Sequence, residues 1–174
     1  KVSALIPDNS SVVLNIGTTT EQVARSLLST HQGLKIITNN INIVNIAGNS
    51  KNCEVWVAGG KLRSADNAIV GSLASDFISN FKIDYAIVGI SAIDKEGTLL
   101  DFDHEELMVT KTIYKQSRRI ILIADANKFD RKAPYVTGSI RDIDIFVTDK
   151  MPHKNIINIC EKNNVEIIIS SNKN

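Results

Sequence analysis

Short apolar segments rich in β-branched residues alternate along this chain with segments whose apolar residues recur at helical spacing. The apolar segments are nearly continuous, which is typical of parallel strands buried on both faces. This alternation predicts an α/β fold, a mostly parallel sheet with helices on both faces. The predicted strands end near Asn15, Thr38, Ala58, Gly89, Ala124, Thr148 and Ser170.

Helical spacing of the apolar residues predicts the elements between these strands. The last predicted helix has Pro152 in its first turn and reaches Asn163. Residues 61–67 are predicted to form a polar loop, residues 93–97 a turn, and residues 171–174 a frayed end. The other predicted helices cover residues 23–28, 41–47, 72–81 and 105–116.

Length and composition limit the classes of protein to which the chain can belong. Its 174 residues most simply form one domain, 1–174, and no apolar run has the length of a transmembrane segment. With 20 basic and 19 acidic residues the net charge is +1, so no basic face for nucleic acid is indicated. Cys53 and Cys160 are expected to be small core residues in a reducing cytoplasm. Because the chain begins with Lys1, we expect a fragment of a longer protein.

The segment 12–20 carries the strongest functional signal. Its apolar strand ends at Asn15, Gly17 permits a tight turn, and three threonines precede a helical pattern. Free backbone N–H groups and the positive end of the helix would make this turn a site for a phosphate ester. In the alternative interpretation, Thr18 or Thr19 only caps the helix.

Polar residues also follow the other predicted strands. Each has a simpler role: Asn39 or Asn40 could cap a helix, the pair 59–60 could form a turn, and Lys128 could be a surface charge. In a parallel sheet, however, the carboxyl ends of the strands meet at one edge, where ligands bind. Glycines allow close approach of the backbone, and amides recognise hydroxyls. The predicted binding residues after the strands are Asn15, Gly17, Thr18, Thr19, Thr20, Thr38, Asn39, Gly59, Gly60, Lys61, Asp125 and Lys128.

The acidic segment 101–106 allows three interpretations. The first is a metal site, but the carboxylates and the histidine match no defined metal motif, so neither a metal nor a cofactor is expected. Acid–base chemistry on a sugar is a second possibility. In the third, Asp103 caps the following helix and Glu105 lies in its first turn, while Asp101 and Glu106 border the binding site.

The order and spacing of these motifs resemble the effector domain of DeoR-family bacterial transcriptional repressors. The branch that represses the glycerol-3-phosphate regulon is most similar, through residues 100–103, 106–110 and 128–133. Two positions depart from the family, which often has Asp at Asn15 and Gly at Asp130. We therefore expect a different hydroxyl-recognising group at Asn15 and a differently shaped turn at Asp130. The motifs that carry the resemblance are 15–20, 38–39, 59–60, 97, 106–111 and 125–129.

The resemblance implies a domain with the ribose-5-phosphate isomerase-like fold that senses a phosphorylated sugar or polyol, here glycerol 3-phosphate. It also implies that DNA is bound only through an N-terminal winged helix-turn-helix outside this chain, without a membrane partner. The alternative is a sugar-phosphate isomerase, in which Asp125 and Lys128 would act as a base and an electrophile. The apolar segment 156–169 exceeds the needs of one buried face, so we expect a homo-oligomer; in the alternative interpretation these residues only complete the core.

Overall fold

Parallel β-strands and α-helices alternate through most of the chain, in a computed structural model that describes residues 1–48 and 50–170. The strands within these ranges are β1 (Ser11–Leu14), β2 (Leu34–Thr38), β3 (Cys53–Val57), β4 (Lys61–Arg63), β5 (Ala68–Val70), β6 (Ile83–Gly89), β7 (Ala92–Ile93), β8 (Thr98–Asp101), β9 (Ser117–Ile123), β10 (Tyr135–Ser139), β11 (Ile145–Thr148) and β12 (Glu166–Ile169). The helices are α1 (Thr18–Thr30), α2 (Ile41–Ala47), α3 (Ser72–Ser79), α4 (His104–Gln116) and α5 (Lys154–Lys162).

The central sheet has seven strands in the order β12-β11-β9-β6-β1-β2-β3. Every neighbouring pair in it is parallel, which confirms the predicted fold class. From β1 the chain adds β2 and β3 on one side, and then crosses to add β6, β9, β11 and β12 on the other. The strand order therefore reverses between β1 and β6, and such a switch point opens a crevice beyond the carboxyl ends of the two strands.

Two apolar layers cover the faces of this sheet. Successive side chains of a strand point to opposite faces. Val12 and Leu14 of β1 accordingly pack with Leu27 of α1 on one face, whereas Val13 packs with Ile78 of α3 on the other. Helices α1 and α2 cover the first face, and α3, α4 and α5 cover the second.

Residues 61–67 do not form the predicted loop but begin with a strand. Strand β4 pairs antiparallel with β5, and Arg63 lies opposite Ala68. Asn67 closes the intervening turn with a left-handed φ of 56°. The prediction was wrong because strands of three residues are too short to show a period of two.

A second antiparallel sheet, in the order β10-β8-β7, was also absent from the sequence prediction. The predicted turn 93–97 is confirmed between β7 and β8: Gly97 has a φ of 80°, and Asp94 Oδ1 accepts N–H bonds from Glu96 at 3.0 Å and Thr98 at 2.7 Å.

Asp130 lies in another turn and has a φ of 57°, a left-handed conformation that glycine adopts easily. The turn at Asp130 therefore keeps a left-handed backbone although its residue is aspartate and not glycine.

The last helix begins later than predicted. Helix α5 starts at Lys154 with His153 as its N-cap, so Pro152 precedes the helix instead of lying in its first turn. There the missing N–H of proline removes no helical hydrogen bond. Cys160 of α5 is buried and Cys53 is half-buried at the start of β3. The predicted frayed end, 171–174, lies outside the described residues.

No helix in the described ranges combines the length and apolarity needed to cross a membrane.

Candidate functional site

A cavity of about 440 Å³ opens at the switch point between β1 and β6. Its lining comes from the segments that follow β1, β6 and β9, from the β4–β5 hairpin and from the start of α4. Of the residues predicted to bind a ligand, it collects Gly17, Thr18, Thr19, Thr20, Asp101, Glu106, Asp125 and Lys128. The lining residues are Ile16, Gly17, Thr18, Thr19, Thr20, Arg63, Asp66, Gly89, Ile90, Ser91, Asp101, Phe102, Asp103, Glu106, Ile123, Ala124, Asp125 and Lys128.

Helix α1 directs its N-terminus at this cavity. Its N-cap is Gly17, with a φ of 134°, and no side chain caps the helix there. The alternative role of Thr18 or Thr19 as the cap is therefore wrong. The first intrahelical bond runs from Glu21 N–H to the Gly17 carbonyl at 3.1 Å, so the three preceding N–H groups have no acceptor within the helix.

The three threonines of this turn have two different roles. Thr18 and Thr19 are exposed on the cavity wall. Thr20 is buried, and its hydroxyl lies 2.6 Å from the Gly17 carbonyl and 2.9 Å from the Asn15 carbonyl, both potential acceptors. Thr20 therefore shapes the turn, while Thr18 and Thr19 are exposed residues of the cavity lining.

Asn15 connects the two strands of the switch point. It is 2% exposed, and its Oδ1 accepts the N–H of Gly89 at 3.0 Å. Asn15 is not among the cavity-lining residues. Its amide thus fixes the spacing between the ends of β1 and β6 beside the cavity.

Besides Asn15, five predicted binding residues lie outside the cavity. Thr38 donates to the Leu14 carbonyl at 2.7 Å, and Asn39 donates to the Ile69 carbonyl at 2.9 Å. The sequence prediction placed these residues at the site because they lie at the ends of β2 and β3. In the structure, the β4–β5 hairpin pairs with the end of β2. The five residues are Thr38, Asn39, Gly59, Gly60 and Lys61.

Lys61 and the glycines before it serve the hairpin. Lys61 is exposed and pairs with Glu105 at 2.7 Å, and this interaction raises the pKa of the lysine. A Cβ on Gly60 would lie 3.2 Å from Ile69 Cγ2 and 3.5 Å from Leu73 Cβ, and its φ is 144°. Gly60 therefore permits a close, left-handed entry into β4.

Arg63 binds three carboxylates that line the cavity. Its guanidinium binds both carboxylate oxygens of Asp66, at 2.9 and 2.6 Å. It also donates to Asp103 Oδ2 and Glu106 Oε2, each at 2.7 Å. The hairpin is thereby joined to the first turn of α4 by charge-assisted hydrogen bonds.

Asp101 and Glu106 present two poorly solvated carboxyl groups to the same cavity. Asp101 is 4% exposed, and its Oδ1 accepts the Ser91 hydroxyl and the Phe102 N–H, each at 2.8 Å. Burial, together with the negative charge of Asp101, raises the pKa of Glu106 to about 7, although Arg63 opposes this shift.

Asp103 has the capping role that the sequence predicts. Its Oδ1 accepts the N–H groups of Glu105 at 2.7 Å and Glu106 at 3.2 Å. Burial disfavours its charge, but the Arg63 hydrogen bond and these two N–H groups lower its pKa below the usual value.

Lys128 is the second cation of the cavity. It ends a 3-10 turn (Ala126–Lys128) that follows β9, and Asp125 caps this turn by accepting the Asn127 N–H at 2.8 Å. Lys128 forms no ion pair with any residue in the described part of the chain. Its charge is therefore available to a ligand in the cavity.

Sequence reasoning did not single out Arg63 and Asp66, because both lay in the predicted loop 61–67. Their spacing of three residues in a polar segment carries no signal that would separate them from surface charges. Among the described residues, no group of three or more His, Cys, Asp or Glu side chains has the arrangement of a metal site.

Comparison with solved structures places the fold among known proteins. Ribose 5-phosphate isomerase from Plasmodium falciparum matches with a TM-score of 0.51 at 19% identity, over 74% of this chain and 48% of that one. The eIF2B delta subunit from Chaetomium thermophilum matches with a TM-score of 0.60 at 12% identity, over 83% of this chain and 51% of that one. At these identities the likeness concerns the fold alone.

Sequence comparison identifies closer relatives, which are transcriptional repressors and not enzymes. The glycerol-3-phosphate regulon repressor of Escherichia coli (strain K12) is 39% identical over 96% of this chain and 66% of its own length. The repressor of the same name from Haemophilus influenzae is 38% identical over 99% of this chain and 67% of its own length. The chain thus spans about two thirds of the curated relatives it matches.

A family model described as the DeoR C-terminal sensor domain matches residues 1–150. This match includes every segment that lines the cavity. Together with the identity to the repressors, it shows that the chain belongs to the DeoR C-terminal sensor domain family.

Proposed function

We propose that this sensor domain binds a phosphorylated sugar or polyol, with glycerol 3-phosphate as the first candidate, and thereby controls DNA binding by a longer repressor. The observation that carries the proposal is the division of one cavity into two chemically different sides. The segments after β1 and β9 offer N–H groups, hydroxyls and Lys128 with one carboxylate, Asp125, whereas the hairpin, β8 and α4 offer four carboxylates with Arg63 as their one cation.

The phosphate group belongs at the N-terminus of α1. Three N–H groups there have no helical acceptor, and the positive end of the helix dipole favours an anion. The exposed hydroxyls of Thr18 and Thr19 and the charge of Lys128 add further donors. A phosphate ester satisfies all of these donors with three oxygens.

The hydroxyl groups of the ligand belong at Asp101 and Glu106. Carboxylate oxygens accept hydrogen bonds from a polyol, and both side chains line the cavity. A phosphate in their place would meet like charges in a poorly solvated site. The charges of the cavity therefore orient the ligand, with its phosphate towards α1 and its hydroxyls towards α4.

The names of the relatives guide the choice of ligand and the wider role. Two of them are repressors of a glycerol-3-phosphate regulon, which makes this ester the first compound to test. DNA contacts are assigned to a region of the longer protein outside this chain. Repressors commonly read repeated half-sites, so a ligand that favours one arrangement of a homo-oligomer would change DNA affinity.

A sugar-phosphate isomerase is less well supported. Its base would be Asp125, but this carboxylate already caps the turn that carries Lys128. The resemblance to isomerases concerns the fold at low identity, whereas the relatives at 38% and 39% identity are repressors.

Calorimetric titration with glycerol 3-phosphate and with glycerol tests the proposed ligand. We expect the ester to bind and glycerol to bind at least tenfold more weakly, because hydrogen bonds to a charged group contribute about 1.5–3 kcal/mol each. Inorganic phosphate serves as the control for the phosphate side alone. Equal affinity for the ester and for glycerol would overturn the proposed phosphate requirement.

A further inference from the structure

Glu106 lies in the first turn of α4, close to several other charged side chains. Its side chain is 13% exposed and contacts the Arg63 guanidinium at 2.7 Å. Arg63 is shared, because it also binds Asp66 and Asp103. Asp101 adds a further carboxylate, held by a hydroxyl and a backbone N–H instead of a cation. One guanidinium therefore binds three carboxylates, and a fourth carboxylate, Asp101, lies in the same cavity without a cation of its own.

We propose that Glu106 takes up a proton when a phosphorylated ligand fills the cavity, so that effector affinity is linked to pH. This inference rests on the proposed function, because it requires a ligand with a charged phosphate. The proton comes from solvent, and no covalent bond of the ligand changes. Protonated Glu106 gains a donor that can serve a ligand oxygen or the Asp101 carboxylate, while its other oxygen still accepts from Arg63.

The physical basis is the balance of charge around this carboxyl group. Burial and the charge of Asp101 already bring the pKa of Glu106 to about 7, so part of the population is protonated at neutral pH. A bound phosphate adds negative charge to the same cavity, which raises this pKa further, whereas a ligand hydroxyl that donates to Glu106 lowers it; we expect the added charge to dominate. The charged groups that share the site with Glu106 are Arg63 of β4, Asp66 of the hairpin turn, Asp101 of β8, Asp103 before α4, and Asp125 and Lys128 after β9.

Thermodynamic linkage determines the direction in which ligand affinity changes with pH. A ligand that raises the pKa of Glu106 binds better to the protonated protein, so affinity falls as pH rises through 7. A tenfold gain in proton affinity at a group with a pKa of about 7 corresponds, at pH 7.5, to uptake of roughly half a proton per ligand.

Isothermal titration of glycerol 3-phosphate at pH 7.5, in two buffers of different ionisation enthalpy, counts the protons taken up on binding. The wild type is compared with Glu106→Gln, which keeps an oxygen for Arg63 but cannot titrate. The free phosphate ester titrates equally in both experiments, so the difference reports the titration of Glu106 together with its coupling to the bound phosphate. Glu105→Gln is the matched control, since the Glu105 carboxylate is next to Glu106 in sequence but pairs with Lys61 and does not line the cavity.

We expect the wild type and the Glu105→Gln variant to take up roughly half a proton more than Glu106→Gln. Asp101→Asn is a second variant, in which loss of the neighbouring charge should reduce the proton uptake of Glu106. Binding with the same proton uptake in the wild type and Glu106→Gln overturns this inference and leaves the proposed function standing. Absence of binding to the wild type overturns both.

Discussion

Single residues divide the first turn of α1 into a structural part and a binding part. Thr20 is buried and its hydroxyl contacts two carbonyls of the turn, whereas Thr18 and Thr19 are exposed on the cavity wall. Gly17 makes this possible, because it acts as the N-cap without a side chain and leaves the N–H groups of the turn open to a ligand. Adjacent residues of the same type can therefore be tested for different roles.

Replacing Thr18 and Thr19 together with valine should weaken glycerol 3-phosphate binding more than tenfold. Each lost hydrogen bond to a charged group costs about 1.5–3 kcal/mol, while the fold keeps its buried Thr20. Calorimetry measures the affinity, and circular dichroism checks the fold. Thr30→Val is the control, at the opposite end of the same helix. Unchanged affinity in a folded double variant would contradict the proposed phosphate position.

At the scale of elements, the end of the chain completes the core. Ile156 of α5 is 1% exposed, and the partly buried Ile159, Ile167 and Ile168 pack against the two core clusters. These residues therefore contribute to the core, while Ile157 and Ile169 of the same segment remain partly exposed. The homo-oligomer stays a prediction.

Apolar side chains remain exposed beside the edge strand β3. Trp56 is 43% exposed, and its ring lies 5.7 Å from that of Phe81. Leu73 of α3 is 67% exposed, one helical turn before Phe77, whose ring packs at a tilt against that of Phe81 with 5.3 Å between the ring centroids. An unpaired strand edge next to apolar side chains is a surface suited to self-association.

We predict that the domain sediments as a dimer or larger species at micromolar concentration and that Leu73→Glu shifts it towards the monomer. A charge at this surface would lose its hydration on association. Met151→Glu is the matched control, because Met151 is 65% exposed elsewhere. A strictly monomeric wild type would remove self-association, and an unaffected Leu73→Glu variant would place the contact on another surface.

At the scale of the whole molecule, the charge is nearly balanced, with 20 basic and 19 acidic residues. Nucleic-acid affinity depends strongly on neutralising phosphates with a basic surface. The positive groups of the cavity, Arg63 and Lys128, lie among carboxylates that would repel a DNA backbone. This charge distribution favours the proposed binding of a small anion in the cavity over binding of a DNA backbone.

We therefore predict that this chain alone selects no sequence from a random duplex library. The measurement is repeated selection followed by sequencing, with a helix-turn-helix protein of known operator as the control for the procedure. Enrichment of one motif by the isolated chain would contradict the assignment of DNA contacts to another region of the longer protein.

The sequence by itself determined the parallel α/β class, the turn after β1 and the cap at Asp103. These depend on local periodicity and on side chains that bond to neighbouring backbone groups, both of which are visible in one segment. The same reasoning placed Gly17, Thr18, Thr19, Asp125 and Lys128 at strand ends that the structure brings to one cavity.

Only the tertiary structure decided which strand ends meet. Thr38 and Asn39 follow a strand as regularly as Thr18 does, yet the hairpin pairs with the end of β2 and keeps them from the cavity. Arg63 comes from that hairpin, 40 residues before Asp103, and no local pattern records their ion pair. Charges that meet across such a distance in sequence are selected by the packing of whole elements, because their interaction energy depends on distances and burial that exist only in the folded chain.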